Sequence, residues 1–535
     1  MHPCLDVDEI VRLIARGLVL SSGRASSVAL ASCCKNLEDP VLDVLWETQG
    51  LLLPLLKTLP GDVWNPDEDE CTVSALTMGA LSLLNDLVSK SFQRLPTTLE
   101  WAHFRKYARR MRRLEVSTNL YSEVLSVLQF CGVDNPVFPN LEFFYIWPLT
   151  QAFIPSIPLF LSPRTTTITI SFFEIDAPKS MVASMITAFP TLCPDLQDVA
   201  LYSLPEDQMI TVGVSRMLLA SNRNTLRRLV VDSPLTKEAR EVVYKLTNLR
   251  ELSMVIKGDD ISLPLVVLPN LSNLTIKYDH NDSWLRGFHR ATFGGLTSVT
   301  FESESEPISD FLEAFESVAF TTSTPATLSA FRFYTSRLWR PNYRSLLPFT
   351  QLKDLQIQFS CGGGCSSTID DDTIADIARA MPKLQTLHLG NGPCQIPTGV
   401  TVKGLATLAY YCPHLSSLSI HFQVASLGPP AITGVTPSGE PAIPREDCAL
   451  TCLYVGGIPL PEESALVVTL TLLRIFPHIS YISYFDEGWK KVTDAISCSK
   501  QIVDHSSKNL RNPHSLHLEV DLMMPLPGTT LGSPT

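Results

Sequence analysis

The chain has 535 residues, 45% of them hydrophobic, enough for several cores or for one elongated array that adds core unit by unit. Its 42 basic and 54 acidic residues leave a net charge of -12, which repels phosphate backbones and argues against nucleic acid as a partner. The 13 cysteines are scattered, and an odd total without a dense framework fits reduced thiols in a cytoplasmic or nuclear protein, with no structural disulfide.

At the N-terminus Asp6, Asp8 and Glu9 stand where a secretory leader needs cations, and no later apolar stretch is long enough to span a bilayer. No membrane partner is expected. Residues 5–59 read as helices, because Ile10, Val11, Ile14 and Leu18 recur at three- and four-residue spacings and residues 28–34 and 41–45 continue the pattern. Pro40 suits the first turn of a short helix through Val44, Leu45 and Trp46. Residues 1–60 therefore form a compact helical module. Pro60-Gly61-Asp62 and the acidic run Asp67-Glu68-Asp69-Glu70 mark a loop before a further helical stretch over 73–92, making 61–110 a helical linker and cap. The cation cluster Arg105, Lys106, Arg109, Arg110, Arg112 and Arg113 could mark nuclear import or phosphate binding. The stronger reading puts Trp101, Phe104, Ala108 and Met111 on one apolar helix face, with the cations solvated on the other.

From residue 111 to 524 one pattern recurs, L-x-x-L-x-L with conservative replacements. Met111, Leu114, Val116 is a weak first copy. There follow Leu141, Phe144, Ile146; Leu196, Val199, Leu201; Leu226, Leu229, Val231; Leu249, Leu252, Met254; Leu271, Leu274, Ile276; and Leu296, Val299, Phe301. The series continues through Leu328, Phe331, Phe333; Leu352, Leu355, Ile357; Leu384, Leu387, Leu389; Leu415, Leu418, Ile420; Leu450, Leu453, Val455; and Ile479, Ile482, Tyr484. Spacings mostly of roughly 22 to 35 residues bracket the leucine-rich-repeat range and slightly exceed it. The last two apolar positions of a copy are two apart, so on a strand both point to one side. One such strand cannot cover that side alone. Stacked copies make a parallel sheet, and each connection returns across the apolar face, usually as a helix. Helices are expected over 373–381, 402–412 and 462–476, each stopped by a proline. Residues 360–372 and 428–445 read as loops, and 525–535, rich in small residues and prolines, as a disordered tail. The fold class is thus α/β, a helical module followed by an irregular solenoid with a parallel sheet on its concave face and helices on its convex face.

Leu5, Glu9-Ile10-Val11, Ile14, Leu18, the run from Ala29 to Cys34 with Lys35, and the closing Leu45-Trp46 resemble the F-box-like module of the large fungal F-box families, which is followed there by leucine-rich repeats. Leu5-Asp6 stands where that family opens with Leu-Pro, and Arg24-Ala25-Ser26-Ser27 replaces its middle Asp-Leu pair. The resemblance implies that the module docks on a Skp-type adaptor of a cullin-RING ubiquitin ligase while the repeats select a protein substrate. The adaptor-facing residues it implies are Leu5, Val7, Ile10, Val11, Ile14, Leu45 and Trp46. The residue pattern by itself favours another role for Ile10, Ile14, Leu18 and Trp46, the internal core of a small helical bundle.

For a target protein, the strand positions alternating with the apolar pair should face the concave side. They include Tyr145, Trp147, Tyr202, Arg228, Arg332, Tyr334, His388, His421, Tyr454 and Tyr481, types that protein-binding surfaces enrich. Cys361 and Cys365, with His388, Cys394, Cys412 and His414 downstream, invite a zinc reading that fails because no second tight pair completes a tetrahedral set. No P-loop, G-x-S-x-G or H-E-x-x-H pattern occurs, so neither catalysis, a cofactor nor a metal is expected. A repeat scaffold that uses its N-terminal helices only as an end cap is the competing expectation. On either reading, a fragment from about residue 95 onward should stay folded but be less soluble without its cap, because repeats contact mainly their neighbours.

Overall fold

The computed structural model describes residues 5, 7–64, 94–116, 125, 128, 136–173, 175–221, 225–257, 267–278, 292–303, 311–321, 326–335, 341–359, 369–390, 398–423, 448–484 and 486–510. Strands β1 (Thr48–Gln49), β2 (Arg113–Val116), β3 (Phe143–Ile146), β4 (Thr167–Ser171), β5 (Asp198–Tyr202), β6 (Arg228–Pro234) and β7 (Glu251–Ile256) come first. They are followed by β8 (Val267–Leu268), β9 (Asn273–Tyr278), β10 (Thr292–Phe293), β11 (Ser298–Ser303), β12 (Ala330–Thr335) and β13 (Asp354–Phe359). The last are β14 (Thr386–Leu389), β15 (Ser417–Ile420), β16 (Cys452–Gly456) and β17 (Tyr481–Tyr484). Apart from β8 and β10, which pair with each other, these make one open, all-parallel sheet of 15 strands whose order follows the chain. Chain-order stacking is what a solenoid-like array produces, since each unit contacts only its neighbours.

The register follows the repeat. Leu355, Leu387, Leu418, Leu453 and Ile482 form one core-facing row across β13–β17, and Ile357, Leu389 and Ile420 form the next. The first leucines of these copies, Leu352, Leu384, Leu415 and Leu450, are buried in the approach turns. There the backbone links successive units, with Gln385 N donating to Lys353 O and Ser416 N to Gln385 O.

The described helices start with α1 (Asp8–Ser22), α2 (Arg24–Ala31), α3 (Lys35–Glu47), α4 (Leu53–Leu56) and α5 (Thr98–Ala108). Between strands lie α6 (Ile157–Phe160), α7 (Lys179–Leu192), α8 (Gln208–Ala220), α9 (Lys237–Val243), α10 (Phe311–Thr321), α11 (Asp371–Ala380), α12 (Val402–Tyr411) and α13 (Ala465–Ile475). The terminal α14 (Trp489–Leu510) follows β17. The expected stops appear: Met381, Cys412 and Phe476, each preceding a proline, leave the helical region with ψ of 64°, 70° and 79°. Inward faces of these helices and the apolar rows of the sheet form one core running from Leu52 to Ile496. Among the described residues, the strand side chains of the large sheet that join this core all lie on one face.

Three features depart from the sequence reading. Pro40 lies inside α3, which begins at Lys35, so burial of Leu37 and Val41 on one face outweighs the helical hydrogen bond that a mid-helix proline removes. Strand β4 has no L-x-x-L-x-L copy: Ile168 and Ile170 hold the core positions, but Thr165 replaces the first leucine, its buried hydroxyl donating to Leu141 O at 2.9 Å. Strand β1, also without the motif, pairs in parallel with β2 and joins the N-terminal helices to the sheet. The expected helix over 73–92, the loop over 428–445, most of that over 360–372 and the tail over 525–535 lie outside the described residues.

Candidate interaction surfaces

The N-terminal helices close on a small core of Val11, Ala15, Leu37, Val41 and Leu45, separate from the main one. Val11 and Leu45, marked above for adaptor contact, are therefore buried inside the module. Leu5 packs against the same core, and Trp46 touches both cores, its ring 4.8 Å from that of Tyr107. These four serve as internal packing. Val7, just before α1, and Ile10 and Ile14 on it instead remain exposed, joined by Leu13 at 65% and Leu20 at 88% exposure. Helix α1 thus carries two apolar stripes, one inward through Val11 and Ala15 and one outward. The 3.6-residue period shows their union but cannot say which stripe its own module covers.

Trp101, Phe104, Ala108 and Met111 are buried on one side as expected, and Lys106, Arg109, Arg112 and Arg113 are exposed, but Arg110 departs from that pattern. Arg110, whose side chain is only 13% exposed, donates to Asp39 and Asp43 of α3, and its Nη1 also reaches the Asp39 carbonyl at 3.1 Å. Asp43 also accepts from Arg12 at 3.0 Å, Arg16 pairs with Glu47 at 3.1 Å, and Lys106 lies 3.8 Å from Glu38. Arg112 pairs with Glu142, and the Arg113 guanidinium sits 4.1 Å over the Phe143 ring. Several of these cations tie the N-terminal helices to α5 and the first strands. Only proximity in the fold, which sequence spacing does not encode, brings Asp39 and Asp43 to Arg110.

On the sheet, Tyr145, Tyr202, Arg228, Arg332, Tyr334, His388, Tyr454 and Tyr481 alternate with the buried rows and stand on the face opposite the core. Trp147 follows β3, half-buried. His421 follows β15 and is itself buried, its carbonyl accepting from the Thr398 hydroxyl, so it offers no surface to a partner. Arg228 is engaged by Glu251 at 2.9 Å and donates to the Tyr202 hydroxyl at 3.0 Å, an arch over the buried Ala200 and Val230. Arg332 is held by Asp354, whose other oxygen accepts from Gln356 at 2.9 Å; Gln356 in turn accepts from the Tyr334 hydroxyl at 3.0 Å. Lys277 lies between Asp232 at 3.1 Å and Glu302 at 3.2 Å. The middle of the face is thereby closed by its own polar network.

Its two ends differ. Tyr145, 40% exposed, lies directly across from Glu115 in the β2–β3 pairing, and desolvation followed by the Glu115 charge holds its hydroxyl above the usual phenol pKa. At the far end the rings of His388 and Tyr454 meet edge-to-face at 5.4 Å, Tyr454 and Tyr481 follow at 6.4 Å, and Tyr481 is 52% exposed. His388 Nε2 lies 2.9 Å from Ser417 Oγ, and burial lowers its pKa below 6.5, favouring the neutral ring.

The cysteine and histidine residues weighed for zinc are not gathered. Cys412 is buried with its thiol pushed up to about 12 by desolvation, His414 is exposed, and Cys361, Cys365 and Cys394 lie outside the described residues. Among the described residues no helix is long and apolar enough to cross a membrane. No protein-family model matches the chain, and no curated protein matches it.

Proposed function

We propose that the protein is the substrate-recognition subunit of a cullin-RING ubiquitin ligase, an F-box-type receptor with leucine-rich repeats. In this reading α1 docks on a Skp-type adaptor and the open sheet face holds the target protein, with no bond-making chemistry of its own. The observation that carries it is the outward stripe of Val7, Ile10, Leu13, Ile14 and Leu20, an apolar face that the chain's own core leaves in water. A contiguous exposed apolar stripe on a small helical module marks a protein contact. The ion pairs around Arg110 support a receptor geometry, since they hold α3 next to the first strands while Arg12 and Arg16 tie the adaptor-facing α1 to α3.

A second reading, a scaffold whose N-terminal helices only cap the array, has one specific observation in its favour. Strand β1 covers the edge of β2, as an end cap does. The readings part in a co-purification of the full chain with a Skp-type adaptor. Wild type is expected to retain the adaptor, and an Ile10→Asp/Ile14→Asp double variant to lose it while keeping its helical content, because both side chains are outside the module core. Val11→Asp, by contrast, is expected to unfold the module. Wild type retaining no adaptor above background removes the ligase reading and leaves the scaffold.

A further inference from the structure

The charges on the sheet face are unequal in how they are used. The cations within the strands are Arg113, Arg228, Lys277 and Arg332, and each is already held: on the Phe143 ring, by Glu251, between Asp232 and Glu302, and by Asp354. The carboxylates outnumber them, with Glu115, Asp198, Asp232, Glu251, Glu302 and Asp354 on the same face. Glu115 is exposed and makes no ion pair or hydrogen bond among the described residues, and the partner strand sets the exposed Tyr145 ring beside it. An anionic partner finds three of these four cations already paired with carboxylates and would have to break a pair to gain them, leaving only Arg113, exposed on the Phe143 ring. A cationic side chain meets an unpaired carboxylate and an aromatic ring together, on a chain of net charge -12.

We propose that the partner taken by this face is a basic, unphosphorylated protein segment, one of whose lysine or arginine side chains seats between Glu115 and Tyr145. The inference rests on the reading of the open sheet face as the target surface. It deepens that reading by fixing the sign of the target's charge and removing phosphorylation as a requirement. The residue directly across from Tyr145 on β4 is the small Thr169, and the Tyr145 ring stays 40% exposed. At the aromatic end, Tyr454 lies eleven strand spacings from β3, about 50 Å along the sheet, and Tyr481 one strand further. An extended segment of about 15 residues would reach from one end to the other.

The test measures binding of fluorescent 15-residue peptides of alternating lysine and glycine, and of alternating phosphoserine and glycine, to the full chain at fixed salt. The lysine peptide is expected to bind and the phosphoserine peptide not. Glu115→Gln and Tyr145→Ala should each weaken the lysine peptide by roughly two- to fivefold, the range of an exposed cation–ring contact. Asp494→Asn, which removes an equal charge from the exposed side of α14, should leave it unchanged. Equal losses in Glu115→Gln and Asp494→Asn would mean attraction by net charge alone and overturn the proposal, as would preference for the phosphoserine peptide. Adaptor co-purification reports separately: failure there with site-dependent peptide binding removes the ligase reading and leaves this one, and the reverse pattern removes only this one.

Discussion

Substituting Asp371 tests whether neighbouring units are joined by side-chain chemistry as well as by packed apolar rows. The residue opens α11, yet its carboxylate reaches the start of the next helix. Oδ1 accepts from Thr401 N at 2.8 Å and Gly404 N at 3.0 Å, and Oδ2 accepts from the Thr401 hydroxyl. Those amides are among the first of α12, which have no partner within their own helix. A helix cap is worth about 1 kcal/mol, up to about 2, and bonds to a charged acceptor are about twice as strong as neutral ones. Asp371→Ala is therefore expected to cost about 2–3 kcal/mol, and Asp371→Asn, which keeps one acceptor oxygen, about 1 kcal/mol. Gly404 supplies the internal control. A Cβ there would lie 2.5 Å from Asp371 Oδ1, whereas the next neighbour, Val400 Cγ1, would be 3.1 Å away at the end of a rotatable side chain. Alone, Gly404→Ala gains helix propensity of about 1 kcal/mol but expels the carboxylate, for a net loss of about 1–2 kcal/mol. In an Asp371→Ala background the clash is gone, and the same change should be neutral or mildly stabilising. Urea unfolding of the four proteins in a double-mutant cycle should give a coupling of about 2 kcal/mol, with faster amide exchange across α12 in the single variants. If Gly404→Ala costs the same in both backgrounds, the carboxylate does not join these units.

Leu387 sits between Leu355 and Leu418 in a fully buried row, so Leu387→Asp is expected to cost about 3–5 kcal/mol, whereas His388→Ala on the open face costs under about 1 kcal/mol; comparable falls in Tm would mean the faces are inverted. Because burial holds His388 below 6.5, the unfolded chain takes up the proton first, and this residue's contribution is complete above pH 6.5 and falls as pH drops below it. His388→Gln should flatten the Tm profile between about pH 7.5 and 5, and parallel profiles for the two proteins would show that the residue does not control it. Arg110→Ala should loosen the N-terminal helices from α5, cost about 1–2 kcal/mol and speed proteolysis after α3; Arg110→Lys should restore little, since an ammonium lacks the fork that spans Asp39 and Asp43.

The strands were legible because their signal is local: two apolar side chains two residues apart, with a third in the approach turn, appear in the sequence as they appear in space. The helices before Pro382, Pro413 and Pro477 were legible for the same reason. Strand β4 escaped because a hydroxyl replaces the first leucine at Thr165 and satisfies itself on the neighbouring unit's backbone. A search allowing threonine at that position would find it through Ile168 and Ile170. On the surfaces, the alternation that places Tyr145 or His388 on the open face is local too. What occupies each charge is not local, since Arg228 meets Glu251 and Arg332 meets Asp354 only through strand pairing between units. Residue types alone made those arginines look like free anchors.

The join between the N-terminal helices and the sheet shows the same limit at larger scale. Sequence composition puts the module boundary near residue 60, where Pro60-Gly61 opens a loop. The cores put it near Trp46: Val11 to Leu45 pack among themselves, whereas Leu52, Leu55, Leu56, Leu59, Val63 and Trp64 share the main core with Trp101, Phe104 and Met111. Thr48 and Gln49 already pair with Arg113 and Leu114, and the buried Gln49 amide donates back to Leu45 O at 2.8 Å. Removing everything before residue 95 therefore does not detach a separable module. It uncovers the apolar face of α5 and leaves β2 as an unpaired edge, a surface prone to pair with another chain. The expected loss of solubility in such a fragment has this cause, while the module boundary near residue 60 treats the array as beginning with its first motif copy. Its first layer is instead built from residues 48–64 and α5, and the helices before them are fixed to that layer by Trp46 on Tyr107 and by Arg110 on Asp39 and Asp43. A receptor that must present a target at a set distance from its adaptor requires a joint of this kind, whereas a cap requires only that the edge be covered.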